Sequence, residues 1–275
     1  MLKLKEYFKS KEFIISISII LVFIIYNIGD YIYYTTGKVD ASFPELVNCF
    51  AFWRHTMYYN GGSVIMFLSP FIISLLSISN LFYKFRGSYF KDLLLRQNYK
   101  KTIIKEFIGS YLKALFPFLF ISIFVFILGL CLFPSDVPNV SFYDVYISFE
   151  YTSVSNPFLY IFLAHIAMIL YVLVISNISF IVLRITKKMT VSIILTFALV
   201  NVINFVISNI SALLSNAIGN SALINHLYLF NIYEGYMVQS TVYNALINMG
   251  ILFVITTVIV LFIYRNKEQV VRHFE

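Results

Sequence analysis

Few side chains in this chain have the chemistry to make or break bonds. There are four histidines and two cysteines. His55, His165, His226 and His273 are far apart, with no spacing that gathers metal ligands. Only His165 falls inside a long apolar run. A lone histidine there more often hydrogen-bonds a neighbouring helix than relays protons or catalyses. Cys49 and Cys131 are too few for a disulfide framework, although one bridge between them is open. No G-x-x-x-x-G-K-[ST] loop occurs. The one Gly-Lys pair is Gly37-Lys38, with Ile32 where the first glycine should stand. The chain is therefore expected to be no enzyme, with no catalytic residue, no metal and no cofactor of its own.

The clearest polar pattern is Asn201, Asn204, Ser208, Ser211 and Ser215. Steps of three and four residues put all five on one face of a helix. In hydrocarbon such side chains favour helix–helix contact or a hydrated path. Two readings stay open: packing within the subunit or across a dimer, or lining a translocation route.

Composition decides what holds these residues. The chain is 60% hydrophobic and only 12% charged, against about one-quarter charged in soluble domains. With 29 Phe and 21 Tyr against 10 Gly it is not low-complexity. A span needs about 20 mostly apolar residues. Six runs qualify, at about 13–34, 63–83, 114–133, 158–183, 190–214 and 243–264. Backbone in lipid must satisfy its own hydrogen bonds, so these runs are expected to be helices. The expected fold is an all-α membrane protein, residues 1–275 forming a single transmembrane domain. The first run is too long for a signal-peptide core and no small-x-small site follows it, so it reads as an uncleaved span.

Eighteen of the twenty Lys and Arg fall in four segments. These are 3–11, 84–113, 184–188 and 265–272; only Lys38 and Arg54 lie elsewhere. The positive-inside rule makes the basic side cytoplasmic, with both termini inside. The net charge of +7 is thus a topology signal, and no nucleic-acid partner is expected. Tyr residues cluster at the run ends, where the ring is buried and the hydroxyl stays wet.

The connections differ in character. Residues 1–12 alternate Leu, Tyr and Phe with lysines and read as an amphipathic interfacial helix. Residues 30–60 read as a polar, aromatic outer loop holding the only Trp, Trp53. Asn156-Pro157 is a helix-start signal for span four. Pro70 and Pro117 would kink their helices. Residues 215–242 are half polar and are expected to pack back on the membrane or the spans.

The inner segment 84–113 carries an amphipathic stripe, Tyr89, Phe90, Leu93 and Leu94. Gln97, Asn98 and Lys100 interrupt it; Ile103, Ile104, Phe107, Ile108 and Tyr111 form a second stripe that runs into span three. From the residues alone this is either a helix lying on anionic lipid or a docking element for a cytosolic partner. Phe85-Arg86-Gly87-Ser88, Asp92-Leu93-Leu94-Leu95 and Tyr99-Lys100-Lys101-Thr102-Ile103-Ile104-Lys105 resemble the cytoplasmic element after the second span of type-2 ATP-binding-cassette permeases. The order of features matches along the whole chain. One departure is Arg86, where that family commonly has an acid.

The resemblance implies a coupling helix formed by Gly87, Ser88, Tyr89, Phe90, Lys91, Asp92, Leu93, Leu94 and Arg96. It would dock on a separate cytosolic ATPase dimer, which would hold the ATP and Mg. It further implies a second permease subunit, identical or related, in the bacterial plasma membrane. The complex would be an exporter of a peptide, drug, lipid or glycan. The alternative is a membrane sensor or immunity protein that binds a ligand with its outer loops and transports nothing.

Overall fold

The computed structural model describes residues 7–37, 48–58, 61–86, 98–135, 156–218 and 242–266. Seven helices run through them. They are α1 (Lys11–Gly37), α2 (Cys49–Tyr58), α3 (Gly61–Arg86), α4 (Tyr99–Leu132), α5 (Pro157–Thr186), α6 (Met189–Ile218) and α7 (Val242–Ile263). All but α2 are long and apolar enough to cross a membrane. This is a multi-pass, all-helical membrane protein.

α3 is the axis of the bundle, packed by α1, α2, α4, α5 and α6. It is also the most enclosed span, with 71% of its apolar window buried. α7 packs chiefly on α5. The outward faces of α1, α6 and α7 carry exposed large apolar side chains such as Ile25, Phe205 and Phe262. That is the surface hydrocarbon solvates.

Local chemistry explains the helix limits. Asn156 caps α5, its side chain accepting from the N–H groups of Phe158 and Leu159 at 2.9 and 3.2 Å. Pro157 follows at the first helical position, as the sequence predicts. Lys187 ends α5 in a left-handed conformation, φ 59°, the one positive-φ non-glycine among the described residues. α4 begins at Tyr99, well before the apolar run at 114. The stripe at Ile103, Phe107 and Tyr111 runs into span three as one continuous helix, as the sequence predicts.

Two prolines lie inside spans, and each leaves a carbonyl without its usual donor. Pro70 cannot donate to Met66, and the Ser69 hydroxyl donates to that carbonyl instead, at 2.6 Å. Ser69 Oγ is then free to accept from Tyr171, 2.7 Å away on α5. Pro117 cannot donate to Lys113, and the Tyr7 hydroxyl takes the place at 2.6 Å. Burial raises the Tyr7 phenol above its ordinary pKa, so it keeps the proton it donates. The expected kink sites are thus stitched by hydroxyls. Tyr7, followed by exposed Phe8 and the Ser10 cap of α1, also pins the N-terminal segment to α4; residues 1–6 lie outside the described residues.

Tyr7→Phe is expected to cost about 1–2 kcal/mol, the price of orphaning a buried acceptor. In a Pro117→Ala background residue 117 regains its N–H, so the same change should cost much less. Thermal unfolding of the four chains in detergent checks this. Equal costs in both backgrounds would refute the assignment.

Hydrogen bonds also join the spans at depth. Ser74 meets Ser179 at 2.7 Å between α3 and α5. Asn177 accepts from Tyr111 of α4 and donates to Thr256 and Thr257 of α7 at 3.1 and 2.9 Å.

Candidate functional site

The largest difference from the sequence reading lies at residues 48–58. Expected as part of a polar outer loop, they form a helix, α2, with Cys49, Phe50, Phe52, Trp53 and Met57 all buried. The pattern supports this: an asparagine cap followed by a short aromatic run. Asn48 Oδ1 accepts from the N–H groups of Phe50 and Ala51 at 3.0 and 2.8 Å.

α2 dives into the end of the bundle opposite the basic segments. The Cys49 N–H donates to the Pro134 carbonyl at 3.0 Å, just beyond the end of α4. One turn on, Trp53 Nε1 donates to the carbonyl and hydroxyl oxygens of Ser122, at 3.2 and 3.1 Å. Phe52 and Cys49 press on Gly129, where an added Cβ would lie 2.8 Å from the Phe52 ring. From Gly129 to Ser122 is about 10 Å along α4 at the helical rise. α2 therefore reaches well below the rim.

At its foot Trp53 meets a histidine. His165 stacks on the indole, with centroids 5.5 Å apart and planes 25° apart. His165 Nδ1 lies 2.7 Å from the Ile161 carbonyl, which can only accept, so Nδ1 carries a proton. In the neutral ring Nε2 is then an acceptor, 2.9 Å from Ser122 Oγ. Ser122 donates to it and accepts from Trp53. Every polar atom in this triangle has a partner. The serine–histidine contact resembles that of a hydrolytic dyad, but Ser122 is fully buried beneath Trp53. The arrangement acts as a tether between α2, α4 and α5.

Charged groups line the other side of α2. Arg54 is buried, and His55 pairs with Asp30 of α1 at 3.0 Å. Burial lowers the His55 imidazole pKa, against the pull of the Asp30 carboxylate. Asn27 of α1 donates to the Thr56 carbonyl at 2.7 Å. Cys49 is fully buried, Cys131 is exposed, and both are free thiols. No group of three or more possible metal ligands occurs among the described residues.

No protein-family model, curated protein or solved structure matches this chain. Its chemistry must be read from its own residues.

The basic end is the second candidate site. Lys84 of α3 pairs with Glu106 of α4. Tyr99 donates to the Tyr264 carbonyl at 2.7 Å, and Tyr264 donates to that of Phe180 at 2.9 Å. Arg184 sits over the Tyr264 ring at 6.0 Å. Phe85, Phe107, Phe180 and Tyr264 belong to one buried cluster drawing on five helices. Of the residues assigned to the coupling helix, Gly87, Ser88, Tyr89, Phe90, Lys91, Asp92, Leu93, Leu94 and Arg96 all lie outside the described residues. So does most of segment 215–242, apart from the end of α6 and Val242, the first residue of α7.

The polar stripe is only partly drawn together. Asn201 donates to the Phe197 carbonyl on its own helix at 2.9 Å and to Phe67 of α3 at 3.4 Å. Asn204 is half-buried. Ser208, Ser211 and Ser215 lie on the α6 backbone, their side chains outside what is described. Other polar residues are fully buried: Ser69, Ser74, Ser77, Ser176, Asn177 and Ser179 on α3 and α5, Asn27 on α1, Ser122 on α4, and Ser192 and Thr196 nearer the start of α6 itself.

Proposed function

We propose that this chain is the membrane subunit of an ATP-driven exporter, of the kind the type-2 ATP-binding-cassette permeases represent. Both termini face the cytoplasm of a bacterial cell. A second permease subunit and a cytosolic ATPase dimer complete the complex. The cargo is a peptide, drug, lipid or glycan passing between the permease halves.

The observation that carries the reading is the joint at the basic end. The helices flanking residues 87–97 are tied to each other by Lys84–Glu106. The cluster around Phe85, Phe107 and Tyr264 ties them to α5, α6 and α7. Packed interiors transmit displacement rather than absorb it. A push delivered between α3 and α4 by a nucleotide-driven partner would therefore reach the other spans. Such a push changes the bundle only if the partner binds its two states unequally.

Leu93→Glu places a charge on the apolar stripe of the coupling segment. With any ATP-binding-cassette ATPase encoded beside this chain co-expressed, the unaltered subunit is expected to co-purify with it in detergent. Leu93→Glu should reduce that yield at least tenfold while the subunit still reaches the membrane. A subunit that purifies alone, and leaves the ATPase rate unchanged, would favour the sensor or immunity reading instead.

A further inference from the structure

We propose that the Arg184 guanidinium holds the phosphate of an anionic phospholipid, in the leaflet at the basic end, where the ends of α4, α5 and α7 meet. The inference does not rest on transport.

The first observation is a guanidinium without a counter-charge. Arg184 lies in the last turn of α5. Its Nη1 is shielded from solvent and has no hydrogen-bond partner. The Tyr264 ring lies 6.0 Å away, at the outer limit of a cation–π contact. An arginine in this place commonly bonds the last carbonyls of its helix. Here other donors meet those carbonyls. The Lys187 N–H takes that of Leu183 at 3.1 Å, and the Tyr264 hydroxyl takes that of Phe180 at 2.9 Å. The Tyr264 carbonyl is taken in turn by Tyr99. Among the described residues of the basic end the acids are Glu12 and Glu106. Glu106 pairs with Lys84, and Glu12 stands on α1, which packs chiefly on α2 and α3. A charged donor left unmet is costly, so Arg184 gains by turning to an anion.

The second observation is depth and company. The 30 residues of α5 reach about 45 Å at the helical rise, the thickness of a bilayer with both headgroup layers. Its last turn therefore lies at headgroup depth. Arg184 as a whole is half-buried, so rotation about its terminal bonds presents the fork to that layer. Lys187 and Lys188 on the α5–α6 turn are exposed, as is Arg265 beside Tyr264. They attract anionic lipid and disfavour the choline cation of a zwitterionic one. The planar fork of an arginine matches two phosphate oxygens, which the point charge of a lysine does not. Arg184 thus supplies the position and its neighbours the attraction.

The full chain in maltoside micelles would be heated with phosphatidylglycerol, phosphatidylcholine or sodium phosphate. Phosphatidylglycerol is expected to raise the unfolding midpoint at least about 4 °C above phosphatidylcholine, because a ligand of the folded state stabilises it by mass action. Sodium phosphate at the same concentration has no acyl chains to seat and should raise it by less than about 1 °C. Arg184→Met should keep at most about a quarter of the phosphatidylglycerol shift, with a lipid-free midpoint no lower than the parent's because an unpaired buried charge is gone. Arg184→Lys keeps the charge without the fork and should keep less than about half of the shift. It carries the test if the methionine variant does not fold. Lys188→Gln and Arg265→Gln each remove a charge from the same end and should keep most of the shift. An Arg184→Met or Arg184→Lys chain with the full shift would overturn the proposal. So would equal losses in Arg184→Met, Lys188→Gln and Arg265→Gln, the sign of diffuse attraction only, or an equal shift with sodium phosphate, the sign of a site for free anions.

Discussion

Trp53→Ala is expected to destabilise the folded chain by about 3 kcal/mol, near the low end of the range for truncating a buried Trp. Three losses add. The indole is among the largest fully buried side chains, so a cavity remains where α2, α4 and α5 meet. Stacking on His165 disappears, worth about 0.5–1.5 kcal/mol for aromatic pairs. The N–H donor to Ser122 goes too, although Ser122 keeps His165 as its acceptor. One term works the other way. Lipid is as apolar as the bundle interior, so transfer contributes less than in a soluble core. That is why the lower end is expected. The matched control is Phe205→Ala, on an outward face of α6 where the ring is 71% exposed. It should cost less than about 0.5 kcal/mol. Thermal unfolding in one detergent compares the two, and costs within about 1 kcal/mol of each other would show that Trp53 does not anchor α2.

The spans were legible because hydrocarbon imposes a length and forbids charge, and both constraints are written residue by residue. The start of α5 was legible for a similar reason: Asn156 and Pro157 act on their own backbone. α2 was not legible. It is too short for a span, and Arg54 and His55 make it read as polar. Its partners Asn27, Ser122 and His165 come from three other helices, and no local pattern announces them. Pro117 shows an intermediate case. The orphaned Lys113 carbonyl can be deduced from the sequence, but not that Tyr7, 106 residues away, supplies the donor. The stripe on α6 is visible through its regular spacing. The buried serines of α3 and α5 are not, because burial there depends on which helices meet rather than on periodicity. The basic end divides the same way. Its charges were countable, whereas the cluster of Phe85, Phe107 and Tyr264 that joins the helices needed the packing.

Gly129→Leu is expected to unseat α2, with a loss of about 3 kcal/mol or more as overpacking at the seam adds to lost α2 contacts. The sign at this position is a contest. Glycine inside a helix costs about 1 kcal/mol relative to alanine, so any side chain should help α4 itself. Gly29 and Gly250 show that gain without opposition, since a Cβ there meets nothing within 4 Å. Alanine at either is expected to stabilise by up to about 1 kcal/mol. At Gly129 a Cβ meets the Phe52 ring at 2.8 Å and the Cys49 carbonyl oxygen at 3.1 Å. The ring is fully buried and the carbonyl is backbone, so neither can swing aside without moving α2. Gly129→Ala should therefore be net destabilising by about 1–2 kcal/mol, the clash exceeding the propensity gain. Unfolding midpoints of the four variants test the order Gly29→Ala and Gly250→Ala above the parent, then Gly129→Ala, then Gly129→Leu. If Gly129→Ala instead joined the stabilised pair, the close approach of α2 to α4 would be wrong. The depth to which α2 enters the bundle would be wrong with it, because Gly129 is where the two backbones come close enough for Trp53 to reach Ser122.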